Sequence, residues 1–217
     1  NLVEGSFSTD AVKQSLEQIQ ELYNRDLILP GTEGLTHTES QAEWLQGNAV
    51  FIPSGSWLEN EMREMTPDDF NMVVKPVPGT DPSTSNSILA WSGENFIVPA
   101  NGENPIGGLE YLRALMSVEN AKYLAENVGA IMPVVGGTEG VDLSPAVISA
   151  VAAAEASGDE TVDYRWKDWY RDLSDEARDR TGDLLTGRIT PDEWMAAMEE
   201  MVVEVKEDPD VIKYTRE

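Results

Sequence analysis

Residues 49–62, AVFIPSGSWLENEM, decide the predicted fold. The apolar opening of this stretch predicts a short buried strand, and the Ser-Gly-Ser that follows predicts a chain reversal. Ser56 and Glu59 have the spacing of a capping box, which predicts a helix that runs to Met65. This strand–turn–helix order places Trp57 beside the carboxyl end of the strand, where open α/β sheets bind their ligands.

Helices and strands alternate on both sides of this stretch, so the sequence predicts an α/β fold with a helix-rich C-terminal region. Apolar residues at helical spacing, together with capping residues and closing glycines, predict the helices. The predicted helices lie at 10–24, 36–46, 105–127 with a break near Ser117, 145–156, around 166–185, and from 191 onward. The predicted strands lie at 49–53, at 71–77 and in a strand–turn–strand unit at 88–99.

A second capping box opens the last helix, where Thr190 and Glu193 have the required spacing and Pro191 occupies the first helical position. Trp194 follows on an apolar stripe of that helix, which predicts a core position. Trp44, on the second predicted helix, is also expected in the core.

The chain is strongly acidic, with 40 Asp and Glu against 15 Lys and Arg and a formal net charge of -25. Such a surface repels phosphate backbones and anionic lipid, so we expect neither nucleic-acid binding nor binding to a membrane surface. The absence of cysteine excludes a disulfide framework and a thiolate metal site. No segment approaches the ~20 apolar residues of a membrane span, so we expect no membrane insertion in this sequence.

Residues that carry catalysis are few. The chain has one histidine, His37, which we expect at the surface of its helix, and this predicts no histidine-bound metal. Phosphate-binding and dinucleotide-binding glycine motifs and the nucleophile elbow are absent. Carboxylates are so numerous that some pair will always resemble a glycosidase site. The sequence therefore predicts no catalytic residue, no cofactor and no metal, and a protein that is not an enzyme.

The six tryptophans indicate a sugar ligand, because an aromatic ring covers the apolar face of a pyranose while carboxylates and amides accept from its hydroxyl groups. The alternative for each tryptophan is core packing. Candidate ligand contacts are the aromatic residues beside turns or polar clusters and one glutamate: Trp57, Trp91, Glu94, Trp166, Trp169 and Tyr170. Glu59 is expected to act only as a helix cap.

Four segments, in order, resemble the C-terminal two thirds of the family 1 extracellular solute-binding proteins. They are 36–62, THTESQAEWLQGNAVFIPSGSWLENEM; 88–99, ILAWSGENFIVP; the helix and turn at 114–133; and the Trp169-Tyr170 pair with LTGRIT at 185–190. The amino-acid sequence of the first segment is similar to that of actinobacterial N-acetylglucosamine and chitobiose binders.

This resemblance implies a periplasmic-binding-protein-like (type II) fold, in which two lobes close around a sugar held in the cleft between them. Trp57 matches the family's stacking tryptophan, and Trp169 or Tyr170 matches its aromatic pair. Trp91 and Glu94 lie near the expected hinge crossing. The implied role is the substrate-binding component of an ABC sugar importer, extracellular or periplasmic and lipid-anchored, with a membrane permease as its partner.

The resemblance also implies a domain division, since the first part of a family member has no counterpart here. Residues 1–78 and 141–217 would belong to the second lobe, 79–87 to a hinge loop, and 88–140 to a strip of the first lobe. Leu112, Leu115 and Leu124 in that strip would then need cover from repacking or from a second copy of the chain. We therefore expect the 217-residue chain alone to bind sugar weakly or not at all.

Two other functions compete with this prediction. A carbohydrate-active hydrolase would use two carboxylates, and it would release product from a chromogenic glycoside. A non-catalytic protein-interaction module would use the acidic surface, and it would form a stable dimer or complex that buries more than ~1,000 Å².

Overall fold

The structure is a computed structural model that describes residues 2–77, 87–89, 96–158, 161–162 and 166–215. The chain divides into two compact units. The first unit comprises Asn1–Thr36 and Tyr164–Glu217, and the second comprises His37–Asp163. These units differ from the predicted lobes, whose bounds stay a prediction.

The described residues are mostly helical. The helices are α1 (Asp10–Asn24), α2 (His37–Leu45), α3 (Leu58–Glu61), α4 (Pro105–Leu115), α5 (Val118–Val128), α6 (Pro145–Ser157), α7 (Trp166–Trp169), α8 (Arg171–Leu185) and α9 (Pro191–Glu207), with a 3₁₀ turn at Thr32–Gly34. Two short strands, β1 (Ile88–Leu89) and β2 (Thr161–Val162), pair in parallel, with Ile88 opposite Thr161. The helix-rich C-terminal region is thus confirmed.

In the first unit, helices α1, α8 and α9 pack around one hydrophobic core. Leu16 of α1, Leu184 of α8 and Met198 of α9 are buried in it. The segment before α1 is fastened to α9, because the Glu199 carboxylate accepts hydrogen bonds from the backbone N–H groups of Gly5 and Phe7, each at 2.7 Å. Trp194 lies in this core as predicted.

Threonine side chains cap two helices of the first unit. Thr9 caps α1 by accepting a hydrogen bond from the Val12 N–H. Thr190 and Glu193 form the predicted capping box at the start of α9. Side-chain oxygens thus satisfy N–H groups that have no partner inside the helix.

The core of the second unit lies between α2, α3 and the start of α6. Trp44, Leu45, Leu58, Met62, Met72 and Ala146 are buried there. Phe70 packs edge-on against Trp44, with ring centroids 4.8 Å apart, and the Trp44 Nε1–H donates to the Val50 carbonyl. The core position predicted for Trp44 is confirmed.

The buried strand predicted at 49–53 is wrong. The segment has no strand structure, and the side chains of Val50 and Phe51 are 82% and 86% exposed. Of this segment, only Ala49 and Ile52 pack on the core to which Trp44 and Phe70 also belong. The segment is therefore apolar in composition but is not buried.

The other predicted strands are also absent or reduced. Residues 71–77 form no ladder, and the Val74 N–H donates instead to the Ser149 hydroxyl at 2.8 Å. In the 88–99 unit, β1 covers two residues, 96–99 have no strand structure, and 90–95 lie outside the described residues. The α/β prediction therefore holds in the described residues only for the β1–β2 pair.

The helix predictions for the second unit are better. The predicted helix at 105–127 is broken at Ser117, which caps α5, and Gly129 ends α5 in a left-handed conformation with φ 74°. Leu112, Leu115 and Leu124 are half-buried, whereas Ile106, Leu109 and Tyr111 of α4 are exposed. Helix α4 thus leaves much of its apolar surface open.

The capping box predicted at Ser56 is wrong. Helix α3 begins at Leu58, has Trp57 at its N-cap without a side-chain cap, and ends at Glu61, four residues before the predicted Met65. The Glu59 carboxylate accepts a hydrogen bond from the Ser144 hydroxyl at 2.6 Å instead. Glu59 thus bonds to Ser144, which is distant in sequence, and does not form the predicted capping box with Ser56.

We expect Thr190→Ala to lower the free energy of unfolding by about 1 kcal/mol, because the first turn of α9 loses its cap. The backbone N–H and then the hydroxyl of Thr190 lower the pKa of Glu193 below its ordinary value. A lowered pKa contributes stability above the carboxyl's unfolded pKa and loses it as the pH falls through the folded value. The loss caused by the substitution should therefore shrink in acid.

Urea unfolding at neutral and at acid pH measures this effect. Ser15→Ala, on the exposed side of α1, is the control and should change stability little. An unchanged unfolding midpoint for Thr190→Ala would contradict the assigned cap.

Candidate functional site

Trp57 is displayed at the surface by the burial of two neighbours. Leu58 and Met62 lie four positions apart, on one face of the α3 turn, and both are buried in the core of the second unit. Successive residues of a helix are rotated by about 100°, so burial of that face turns the preceding Trp57 outward. The Trp57 side chain is 45% exposed.

The backbone of Gly55 lies directly under the Trp57 indole. A Cβ atom at position 55 would lie 2.0 Å from Cζ3 of the ring and within 2.4 Å of two further ring atoms. Only glycine therefore allows the ring to rest on the turn in this position. A ligand can therefore contact the edge of the Trp57 ring and the face that is turned away from Gly55.

Other elements of the second unit hold α3 in place. The Glu59 carboxylate accepts from Ser144, the N-cap of α6, and lies 3.0 Å from the position that a Cβ on Gly129 would occupy. Arg63 donates to the Asn127 carbonyl at the end of α5. The turn that carries Trp57 is thus fastened at both ends of α3.

A polar cluster joins α2 to α3 beneath this turn. The buried Gln41 donates through Nε2 to the Glu61 carboxylate at 2.9 Å, and the same Nε2 lies 2.9 Å from Nε2 of His37. His37 Nε2 is 3.5 Å from Glu61 Oε2. The His37 side chain is largely exposed, so its predicted surface position is confirmed.

A second group of aromatic residues lies in the first unit. Trp166 packs edge-on against Phe7 at 5.7 Å and borders the core. Tyr170 is a core residue, 3% exposed, and its hydroxyl accepts a hydrogen bond from the Tyr214 N–H at 2.9 Å. Trp169 is half-buried, and its ring is stacked on that of Tyr214 with centroids 5.1 Å apart and planes 22° apart.

An open cavity of about 320 Å³ lies beside this stacked pair. Its lining combines aromatic, aliphatic and charged side chains: Trp169, Tyr170, Arg171, Asp172, Val205, Asp210, Val211, Ile212 and Tyr214. This volume is at the low end of the range for small-molecule sites, ~300–1,000 Å³. An aromatic wall beside carboxylates and a guanidinium group is the combination that a sugar ring requires.

The candidate residues from the sequence are thus placed differently from one another. Trp57 is exposed at a turn; of the Trp169 and Tyr170 alternatives, Trp169 is accessible and Tyr170 is buried; Trp166 borders the core. Trp91 and Glu94 lie outside the described residues. Sequence reasoning missed Tyr214, because its contacts with Trp169 and Tyr170 come from positions more than forty residues away in the chain.

Across the residues that the structure describes, no group of three or more His, Cys, Asp and Glu side chains is arranged to hold a metal ion. In the same part of the chain, no helix combines the length and the apolar character needed to cross a bilayer.

The sequence was compared with known proteins. No model of a known protein family matches it. The diacetylchitobiose binding protein NgcE of Streptomyces coelicolor is 31% identical over 219 aligned positions, which cover 98% of this chain and 46% of the relative. The chain thus spans about half the length of the curated relative it matches. The resemblance to sugar-binding proteins that the four segments predicted is confirmed across nearly the whole chain.

We expect Gly55→Ala to displace the Trp57 indole without unfolding the protein, because the new methyl group would overlap the ring and the ring can rotate away. Gly34→Ala is the matched control, since a Cβ at that position meets no atom within 4 Å. With 5-fluorotryptophan incorporated, the ¹⁹F resonance of Trp57, assigned through Trp57→Phe, should shift in Gly55→Ala only. A resonance that stays in place would contradict the described contact.

Proposed function

We propose that this chain, similar over nearly its whole length to a diacetylchitobiose binding protein, forms part of the substrate-binding component of an ABC sugar importer. In this role it binds a mono- or oligosaccharide by aromatic stacking and carries out no covalent chemistry. Its partners are the sugar and the membrane permease that accepts it, and its place of action is outside the cytoplasmic membrane. The sugar is proposed to contain N-acetylglucosamine, as the name of the relative suggests.

The observation that carries this proposal is the exposure of Trp57 on a fixed turn. An exposed indole leaves apolar area in water, and that area gains about 25 cal/mol per Å² when a ligand buries it. A sugar ring can cover that area with its C–H face. The ring rests against Gly55, on a turn that is fixed by the buried Leu58, so little freedom is lost when the ligand binds.

The acidic surface fits a neutral sugar. A protein with a net charge of -25 repels anionic ligands over distances of about a Debye length, ~8 Å at physiological ionic strength. A sugar whose amino groups are acetylated carries no charge and approaches without that penalty. Surface carboxylates remain available as acceptors for its hydroxyl and amide groups.

The hydrolase alternative makes a prediction that separates it from a binding protein. A glycosidase needs two carboxyl groups about 5–10 Å apart, one of them with a raised pKa, and it turns over its substrate. A binding protein leaves a chromogenic N-acetylglucosaminide intact at any concentration. Release of the chromophore at a rate above that of buffer would favour the hydrolase.

We expect Trp57→Ala to weaken sugar binding by the complete protein by about tenfold or more, which is the usual loss when a stacked aromatic residue at the centre of a site is removed. Trp57→Phe should retain part of the affinity, because a smaller ring still covers one face of the sugar. Isothermal titration with N-acetylglucosamine, diacetylchitobiose, maltose and xylobiose measures both variants.

Tyr23→Ala is the matched control, since it removes an aromatic ring that is 44% exposed, close to the exposure of Trp57, from α1 of the other unit. It should bind like the unaltered protein. Failure of the unaltered protein to bind any sugar of a broad panel would refute the proposed function. Full affinity in Trp57→Ala would remove Trp57 from the site.

A further inference from the structure

The ring of Trp169 has a neighbour that lies outside the four segments of family resemblance. Tyr214, in the segment after α9, stacks on the indole with the two planes only 22° apart. Trp169 also packs against the hydrophobic core of the first unit. The Tyr214 ring therefore covers part of the half-buried indole, which still lines the cavity.

Tyr214 is held in this position by its backbone as well as by its ring. Its N–H donates to the Tyr170 hydroxyl at 2.9 Å, and its ring meets the Tyr170 ring edge-on at 6.0 Å. Tyr170 is itself a core residue, so the tyrosine at 214 is anchored to the rigid part of the unit. One residue earlier, the Lys213 ammonium donates to the carbonyls of Asp208 and Val211, which folds the segment back on itself.

The Tyr214 side chain remains 39% exposed and lines the cavity beside the stacked pair. Because one of its faces rests on Trp169, the accessible surface is on the opposite face and the ring edge. A ring that enters the cavity can therefore contact Tyr214 as well as Trp169, since both line it. Asp172, Asp210 and Arg171 line the same cavity and supply acceptors and a donor for hydroxyl groups.

We infer that Tyr214 is a ligand-contact residue of this cavity, and that a single pyranose ring of the sugar stacks on it while Trp169 supports it from behind. The inference rests on the proposed function and assigns the aromatic contact in this unit to Tyr214. A cavity of about 320 Å³ suits one sugar ring and not a chain of them. Two stacked rings anchored on Tyr170 give a preformed surface, which lowers the entropy lost on binding.

The test uses the complete protein with N-acetylglucosamine and diacetylchitobiose. Tyr214→Ala should lower the affinity by about tenfold or more, as expected for the loss of a stacking ring. Tyr214→Phe should bind within about twofold of the unaltered protein, because it keeps the ring and the backbone hydrogen bond to Tyr170. Titration calorimetry measures the affinities, and far-ultraviolet circular dichroism checks that each variant is folded.

A second measurement does not depend on the folding of a variant. In the unaltered protein, nuclear Overhauser effects should connect the sugar C–H protons with the Tyr214 ring protons, assigned by comparison with Tyr214→Phe. Their presence supports the inference, and their absence from a saturated complex overturns it.

Three other results would overturn the inference. A higher affinity in Tyr214→Ala would mean that Tyr214 occupies the place of the sugar. An unchanged affinity in Tyr214→Ala, together with a loss in Trp57→Ala, would refute the inference and leave the proposed function standing. Absence of sugar binding by the unaltered protein would refute both the inference about Tyr214 and the proposed function.

Discussion

Burial of Leu58 and Met62 is the constraint on which the Trp57 site depends. Helix α3 has four residues, and a helix that short does not persist in water without tertiary contacts. Each of the two side chains contributes on the order of 1.5–3 kcal/mol when it is fully removed from water. That burial fixes the rotation of the turn, and the rotation decides that the indole before it points outward. The exposure of Trp57 is therefore a consequence of the core and not of a flexible loop.

Polar contacts between distant segments then complete the two aromatic surfaces. In the second unit, the Ser144 hydroxyl donates a hydrogen bond to the Glu59 carboxylate, and this bond connects the start of α6 to α3. In the first unit, the Tyr170 hydroxyl accepts from the backbone of Tyr214. Each contact places an aromatic ring with a single well-formed hydrogen bond, worth roughly 1 kcal/mol in net stability. Their main effect is on geometry, since they restrict where the ring can lie.

The helices could be predicted well from the sequence, because their signals are local. Thr9, Ser117 and Thr190 are caps within three residues of the N–H groups that they satisfy, and Gly129 ends its helix through its own φ angle. The strands could not be predicted so well. The run at 49–53 has the composition of a buried strand, but burial depends on tertiary contacts that composition does not encode, and Val50 and Phe51 are exposed. The role of Tyr214 could not be predicted from the sequence for the same reason, because nothing near it in sequence indicates its contact with Trp169.

The first unit joins the beginning of the chain to its end, and this has a consequence for synthesis in the cell. The partners of α1 are α8 and α9, which leave the ribosome roughly 150 residues later. At translation rates of about 5–20 residues per second, the apolar face of α1 around Leu16 waits roughly 10–30 s for its cover. During that interval the nascent chain exposes the surface to which holdase chaperones bind, whereas α2 to α6 can already collapse together. The order of emergence thus allows the second unit to form before the first unit has all of its helices.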